Sequence, residues 1–136
     1  MKQTIFEGMA SAIVTPMTPE GIDYAALGRF IDFQIDSGIN ALVVMGTTGE
    51  NATIEYADQL EAIRFAVERA AGRVPVIAGT GTNNTEHVLH NTRNACQAGA
   101  DAVLVVTPYY NKATQNGLYQ HFMAVADAST VPVILY

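Results

Sequence analysis

The sequence predicts an α/β protein built on one parallel sheet, and three observations carry that prediction. Five short apolar runs recur along the 136 residues, their starts 31, 33, 28 and 29 residues apart, which is one strand plus one helix per unit. Each run is apolar almost throughout instead of alternating, as parallel strands are when both faces of their sheet are covered. Amphipathic helical patterns fill the intervals. The order is β-α-β-α-β-α-β-α-β across residues 1–136, a single domain with no linker or low-complexity tract.

The first strand is Ala10–Thr15, and the helix after it carries Leu27, Phe30, Ile31 and Ile35 on one face before Ser37-Gly38. Ala41–Met45 is the second strand. Its helix shows Leu60, Ile63 and Val67, with Thr53 as candidate N-cap and Ala71-Gly72 as the stop. Val74–Ala78 is the third strand, followed by a helix capped by Thr85 with Glu86 beside it. That helix lines up Val88, Thr92, Ala95, Cys96 and Gly99, and Ala98-Gly99 ends it with the glycine a left-handed helix terminus favours. Ala102–Val106, a helix with Leu118, Phe122 and Val125, and the fifth strand Val131–Tyr136 complete the series. Two arrangements fit: a flavodoxin-like, doubly wound open sheet, or half of a (βα)₈ barrel, which takes about 250 residues.

An apolar content of 49% with 15% charged residues excludes a disordered chain. A net charge of −6 and only seven Lys plus Arg speak against nucleic acid or an anionic membrane as partner. No apolar stretch approaches the length of a membrane span, and residues 1–8 lack the apolar segment of a signal peptide, so a cytoplasmic protein is expected. The single cysteine, Cys96, makes no internal disulfide, which suits a reducing compartment. A small soluble molecule is the expected partner.

Function in such folds concentrates in loops at the carboxyl ends of the strands. Here these begin Thr15-Pro16, Gly46-Thr47-Thr48-Gly49-Glu50, Gly79-Thr80-Gly81-Thr82-Asn83 and Thr107-Pro108-Tyr109-Tyr110-Asn111. The second can offer two hydroxyls and several backbone N–H groups to a small anion, or can simply cap the next helix. It is no P-loop, because no Gly-Lys-Ser/Thr follows. Gly79-Thr80-Gly81 lacks a third glycine and reads as a tight turn. Of the adjacent Tyr109 and Tyr110, at least one can aim its phenol into the mouth of the sheet, where Tyr136 also lies. Thr47, Tyr110 and Tyr136 are candidates for a chain of three hydroxyls able to shuttle a proton. His87 and His90 are three apart on a helix and His121 is on another, so surface or packing positions are expected before a metal site. Cys96, on an apolar helical face, is expected in the core.

Five stretches together carry a family resemblance: Ala12-Ile13-Val14-Thr15-Pro16, Gly46–Glu50, Pro75–Gly81, Val106–Asn111 and Gly117–Phe122. In this order the chain resembles the dihydrodipicolinate synthase family. Those enzymes are pyruvate-dependent class I aldolases, grouped with N-acetylneuraminate lyase. Gly-Thr-Thr-Gly-Glu with Thr-Pro-Tyr-Tyr looks like the synthase branch, since the lyase usually has a serine in the first motif and another aromatic pair in the second. The resemblance implies the barrel, here strands one to five and four helices. It implies that Thr47 and Thr48 bind the carboxylate of pyruvate, and that Thr47, Tyr110 and Tyr136 relay protons, with Tyr110 reaching across a subunit interface. It further implies condensation of pyruvate with aspartate semialdehyde through a lysine Schiff base, whose cationic nitrogen is the electron sink, with no cofactor.

The family's Schiff-base lysine belongs to a sixth strand. The lysines here are Lys2 and Lys112, and neither matches it; the arginine that follows the strand-five tyrosine in the family is also not matched. The chain is therefore expected to be an inactive N-terminal fragment. Unpaired edges at strands one and five should drive it to dimerise, exchange strands or assemble further. At the interface where some family members bind lysine as feedback inhibitor, Asn83 matches one ligand. Tyr56, Gln59 and His87 replace residues usual in the strongly inhibited members, which implies a parent insensitive to lysine.

Overall fold

The computed structural model describes residues 4–136. Strand β1 (Ala10–Ala12) leads into a small antiparallel hairpin, β2 (Met17–Thr18) with β3 (Gly21–Ile22). Then follow α1 (Tyr24–Asp36), β4 (Ala41–Val44), α2 (Tyr56–Ala70), β5 (Val76–Gly79), α3 (Thr85–Gln97), β6 (Ala102–Val105), α4 (Gln115–Ala128) and β7 (Val133–Leu135). The five strands expected from the apolar runs and the four helices between them are all present. The hairpin, with two residues in each strand, has no counterpart among the apolar runs.

All five main strands are parallel, in the order β1-β4-β5-β6-β7. Each strand is laid beside the one before it. That order excludes the flavodoxin-like alternative, in which the first strand sits inside the second. It leaves β1 and β7 as edges, and side chains there stay open: Met9, Val14, Leu135 and Tyr136 are all exposed.

Successive side chains of a strand point to opposite faces, and both faces here are apolar. Leu42, Val44, Val76, Ala78, Val103 and Val105 pack under the helices in the main core. Ala41, Val43, Ile77 and Ala102 form a second cluster on the opposite face, against Ile5, Phe6, Leu104 and Ile134. This explains why the strand sequences do not alternate.

The helices depart from expectation at their starts. Asn84, not Thr85, caps α3, its Oδ1 accepting from His87 N–H at 3.3 Å; Thr85 is the first helical residue. α2 starts after Glu55, and Thr53 instead closes a preceding turn through its hydroxyl to Glu50 O at 2.8 Å. Asp23 and Thr114 cap α1 and α4. The expected stops hold: Gly38, Gly72 and Gly99 are left-handed, with Ala71 joining Gly72 at the end of α2.

α2 meets the sheet mainly through Ala62, Ala66 and Ala70 beside Ile63, while Leu60 and Val67 are only half-buried. Small side chains let this helix lie close over β4 and β5. Across to α1, Phe65 packs edge-on to Tyr24 at 5.0 Å and over Gly28, where a Cβ would come within 3.2 Å of the ring. Arg69 and Arg73 of the α2 end both bind the carboxylate of Asp32. Cys96 is half-buried at the α3–α4 boundary, 3.7 Å from Ser129 Oγ, rather than in the core, because the helix turn carrying it faces the end of α4.

Candidate functional site

β4 does not run straight into its loop. Met45 is fully buried at φ +56°, in the left-handed region that a side chain enters only at a cost. That bend winds Thr47–Gly49 into one 3₁₀ turn, closed by Gly49 N–H to Gly46 O and Glu50 N–H to Thr47 O, each 3.0 Å. The amides of Thr47 and Thr48, at the start of the turn, meet no backbone carbonyl among the described residues. Both threonines are exposed, so two amides and two hydroxyls are available side by side. Glu50, also left-handed at φ +56°, starts a second 3₁₀ turn over Asn51–Thr53.

The turn is fastened from below. Buried Thr15, just beyond β1, donates its hydroxyl to Gly49 O at 2.8 Å. The glycines after β5 do more than make a tight turn. A Cβ on Gly79 would lie 2.1 Å from Met45 O, and one on Gly81 would lie 2.5 Å from Val106 N. Bare backbone there lets three strand ends converge. Between the glycines, Thr80 is buried and hydrogen-bonds Thr92 at 3.0 Å.

A cleft of about 220 Å³ opens at this mouth, walled by Gly46, Thr47, Gly79, Gly81, Tyr109 and Tyr136 among others. Thr47 and Tyr136 are thus brought to one cavity. Tyr136 is carried there by continuing the ladder, its N–H bonding Val105 O and its O accepting from Thr107 N–H, both at 2.9 Å. Thr48 lies on the same turn but not in the wall. Tyr110 points away and is 93% exposed, so the three candidate hydroxyls do not form a chain within one copy. Of the two adjacent tyrosines, it is Tyr109 that lines the mouth.

A second, polar cavity of about 290 Å³ adjoins the cleft, with Asn51, Ala52, Gly81 and Tyr109 common to both. Asn83, Tyr56 and Gln59 line it. Tyr56 hydroxyl meets His87 Nδ1 at 2.9 Å, and the Gln59 amide donates to Asn51 O at 2.8 Å and Ile54 O at 2.7 Å. Asn83 Nδ2 in turn donates to Asn111 Oδ1 at 3.3 Å, so all three side chains are partnered inside the protein.

The groups with displaced titration lie elsewhere. Hydrogen bonds from Arg69 and Arg73 hold Asp32 below the usual carboxylate range. Burial pushes His121 down; its Nδ1 meets Thr85 Oγ1 at 2.9 Å, while its buried Nε2 has no partner. Burial raises the Cys96 thiol, but hydrogen bonding with Thr130, Ser129 and Val131 outweighs it and the net shift is downward. His87 and His90 are exposed, and no cluster of three metal-ligating side chains occurs among the described residues. Lys112, at φ +52°, is exposed on the loop after β6; Lys2 lies outside the described residues.

The sequence profile of the dihydrodipicolinate synthetase family matches residues 5–136. The chain belongs to that family. The 4-hydroxy-tetrahydrodipicolinate synthase of Pseudomonas putida (strain W619) is 52% identical over 130 residues, which is 95% of this chain and 44% of that protein. Dihydrodipicolinate synthase from Aquifex aeolicus superposes with a TM-score of 0.94 at 50% identity, covering 96% of this chain and 45% of that one. The chloride-inhibited dihydrodipicolinate synthase from Acinetobacter baumannii, complexed with pyruvate, gives 0.94 at 46% identity, over 98% and 46%. The chain thus spans about half the length of the dihydrodipicolinate synthases it matches. Its fold is the N-terminal half of a (βα)₈ barrel. Among the described residues no helix is long and apolar enough to cross a membrane.

Proposed function

We propose that this chain supplies the pyruvate-carboxylate site and part of the proton relay of a 4-hydroxy-tetrahydrodipicolinate synthase. That reaction condenses pyruvate with aspartate semialdehyde through a lysine Schiff base, in the biosynthesis of diaminopimelate and lysine. The observation that carries the proposal is the shared cleft of Thr47 and Tyr136, set beside the open amides of the 3₁₀ turn. The carboxylate of a 2-keto acid accepts hydrogen bonds from the Thr47 and Thr48 amides and hydroxyls. Its carbonyl carbon then lies deeper in the cleft, towards the mouth of the sheet. Thr47 and Tyr136 pass protons between one another, and the exposed Tyr110 completes the relay in a neighbouring copy, since it turns away from its own cleft.

The imine nitrogen must come from a lysine. Lys112 stands exposed on the loop after β6 but is absent from the cleft wall, and is not assigned that role. By itself the chain therefore binds pyruvate without turning it over, and acts as an enzyme only with the other half of its barrel. Homo-oligomerisation follows from the exposed sheet edges and from Tyr110. The polar cavity beside the cleft, with Tyr56 bonded to His87 and Gln59 spent on backbone, favours a protein that lysine does not inhibit. A second reading, a self-assembling half-barrel that binds small carboxylates without chemistry, is favoured by the apolar exposure at Met9, Val14 and Leu135.

Two measurements test these statements. Titrated pyruvate should shift the Thr47 and Thr48 amide resonances, and Thr47→Val should weaken the response; no shift at millimolar pyruvate would sink the carboxylate site. Intact-mass analysis after pyruvate and borohydride should show no fold-dependent adduct. A specific adduct on Lys112 would mean that the chain carries its own nucleophile.

A further inference from the structure

Tyr110 holds a conformation that tyrosine rarely takes. Its φ is +70°, and Asn111 N–H donates across it to Tyr109 O at 2.9 Å. Residues 109–111 therefore form a γ-turn of the positive-φ kind, the rarer and more strained of its two forms. Nothing in the ring's own packing offsets that strain, because the side chain is 93% exposed. Lys112, two residues on, is left-handed as well. Some other contact must hold this loop.

That contact is a pair of asparagines. Asn111 Nδ2 donates to the main-chain oxygen of Asn83 at 2.5 Å, and Asn111 Oδ1 accepts from Asn83 Nδ2 at 3.3 Å. Asn83 is a firm anchor. It is bracketed by Thr82, whose hydroxyl bonds both the N–H and the O of Asn84 at 3.0 and 3.1 Å, and by Asn84, which caps α3. We infer that Asn83 and Asn111 are positioning residues that clamp the loop after β6 to the start of α3 and hold Tyr110 outward in its left-handed turn. The consequence for function rests on the proposal that Tyr110 acts in a neighbouring copy: the clamp presents its phenol already oriented, so docking has no strained turn to form. The amide side chain is needed at both positions. Aspartate at 111 would set a carboxylate against the Asn83 carbonyl and lose the donor.

The test reads the backbone of residue 110 in the isotopically labelled 136-residue chain. The intraresidue amide–Hα nuclear Overhauser signal is strong only at positive φ. Asn111→Ala should reduce it at Tyr110 to less than about half its original intensity, since both clamp bonds are lost. Asn83→Ala, which keeps the main-chain oxygen, should reduce it less. Core resonances should stay in place in both variants. Thermal unfolding provides the second readout: Asn111→Ala should lower the midpoint, and more so when combined with Tyr110→Gly, because relaxation of the strained tyrosine turn returns part of the lost bond energy whereas glycine takes φ +70° with no strain to release. An undiminished signal in Asn111→Ala, or strictly additive midpoints, would overturn the clamp. Failure of the proposed relay would appear separately, as self-association or reconstituted synthase activity indifferent to Tyr110→Phe and Tyr110→Ala, with the Overhauser result unaltered.

Discussion

Replacing Gly79 by alanine should damage the mouth of the sheet far more than one methyl group normally does. The backbone at Gly79 is not left-handed, so it accepts a side chain, and the penalty is contact alone. The new Cβ would sit 2.1 Å from Met45 O, 2.6 Å from Met45 C and 2.8 Å from Gly46 N. All three are main-chain atoms of a buried bend, with no rotamer to relieve the clash. They must retreat by roughly 1.3 Å to reach ordinary contact at 3.4 Å, which separates β4 from β5 where their ladder ends. Overpacking of this kind costs about 3 kcal/mol at the upper end of the usual range. Loss of glycine's freedom in the unfolded chain returns roughly 0.5–1 kcal/mol, leaving a net loss of about 2 kcal/mol. With a urea slope of about 2 kcal/mol/M, the midpoint should fall by roughly 1 M at fixed protein concentration. Gly46→Ala is the matched control across the cleft: its Cβ meets only Val43 Cγ1, at 3.5 Å, and its φ of −80° suits alanine. Its midpoint should move by less than about 0.5 kcal/mol equivalent. Equal midpoints for the two variants would refute the close-approach argument.

Other perturbations address single contacts. Thr15→Val leaves the buried Gly49 carbonyl without its donor and should cost about 1–2 kcal/mol in urea unfolding, with Thr15→Ser recovering most of it. His121 is held below its ordinary value of 6.5 by burial, so the unfolded chain takes up the proton first. Stability should be unaffected by this group well above that value and fall as pH drops through it; His121→Gln should flatten that part of a midpoint-versus-pH curve. Asp32 is depressed by Arg69 and Arg73, so its contribution is present above the ordinary aspartate range and lost as pH falls below it. Asp32→Asn should remove that acid-side slope, and high salt should shrink it in the parent.

Most of the architecture was legible because the strands are buried on both faces and the helices have one apolar stripe. Val43 and Val44 belong to different cores, so a run without alternation was the correct signature of a parallel strand. What escaped notice was encoded in pieces too short or too bland to register. β2 and β3 have two residues each, and no periodicity exists at that length. The packed face of α2 is alanine, which hydrophobic pattern ranks below Leu60 and Val67, although small residues are what let a helix approach a sheet. At the site, Thr47 and Tyr136 share one cleft, and the motif alone leaves open which of the two adjacent tyrosines joins them there; it is Tyr109, with Tyr110 exposed. Local propensity opposes a left-handed Tyr110, and the Asn83–Asn111 contact that clamps it joins residues twenty-eight positions apart in sequence. The close approaches at Gly79 and Gly81 were likewise invisible, because what a missing Cβ makes room for belongs to another strand.

The order of the sheet also bears on how the chain is made. Every main strand pairs with the one synthesised just before it, and none has to wait for a later segment to slip between existing neighbours. As the polypeptide leaves the ribosome, β4 finds β1 already available, β5 finds β4, and so on to β7. Each step closes only a loop of one helix, which keeps its entropic cost small and uniform. Assembly of this kind is vectorial: a nascent chain grows its sheet at one advancing edge, and at every stage that edge is the surface chaperones or the next strand must cover.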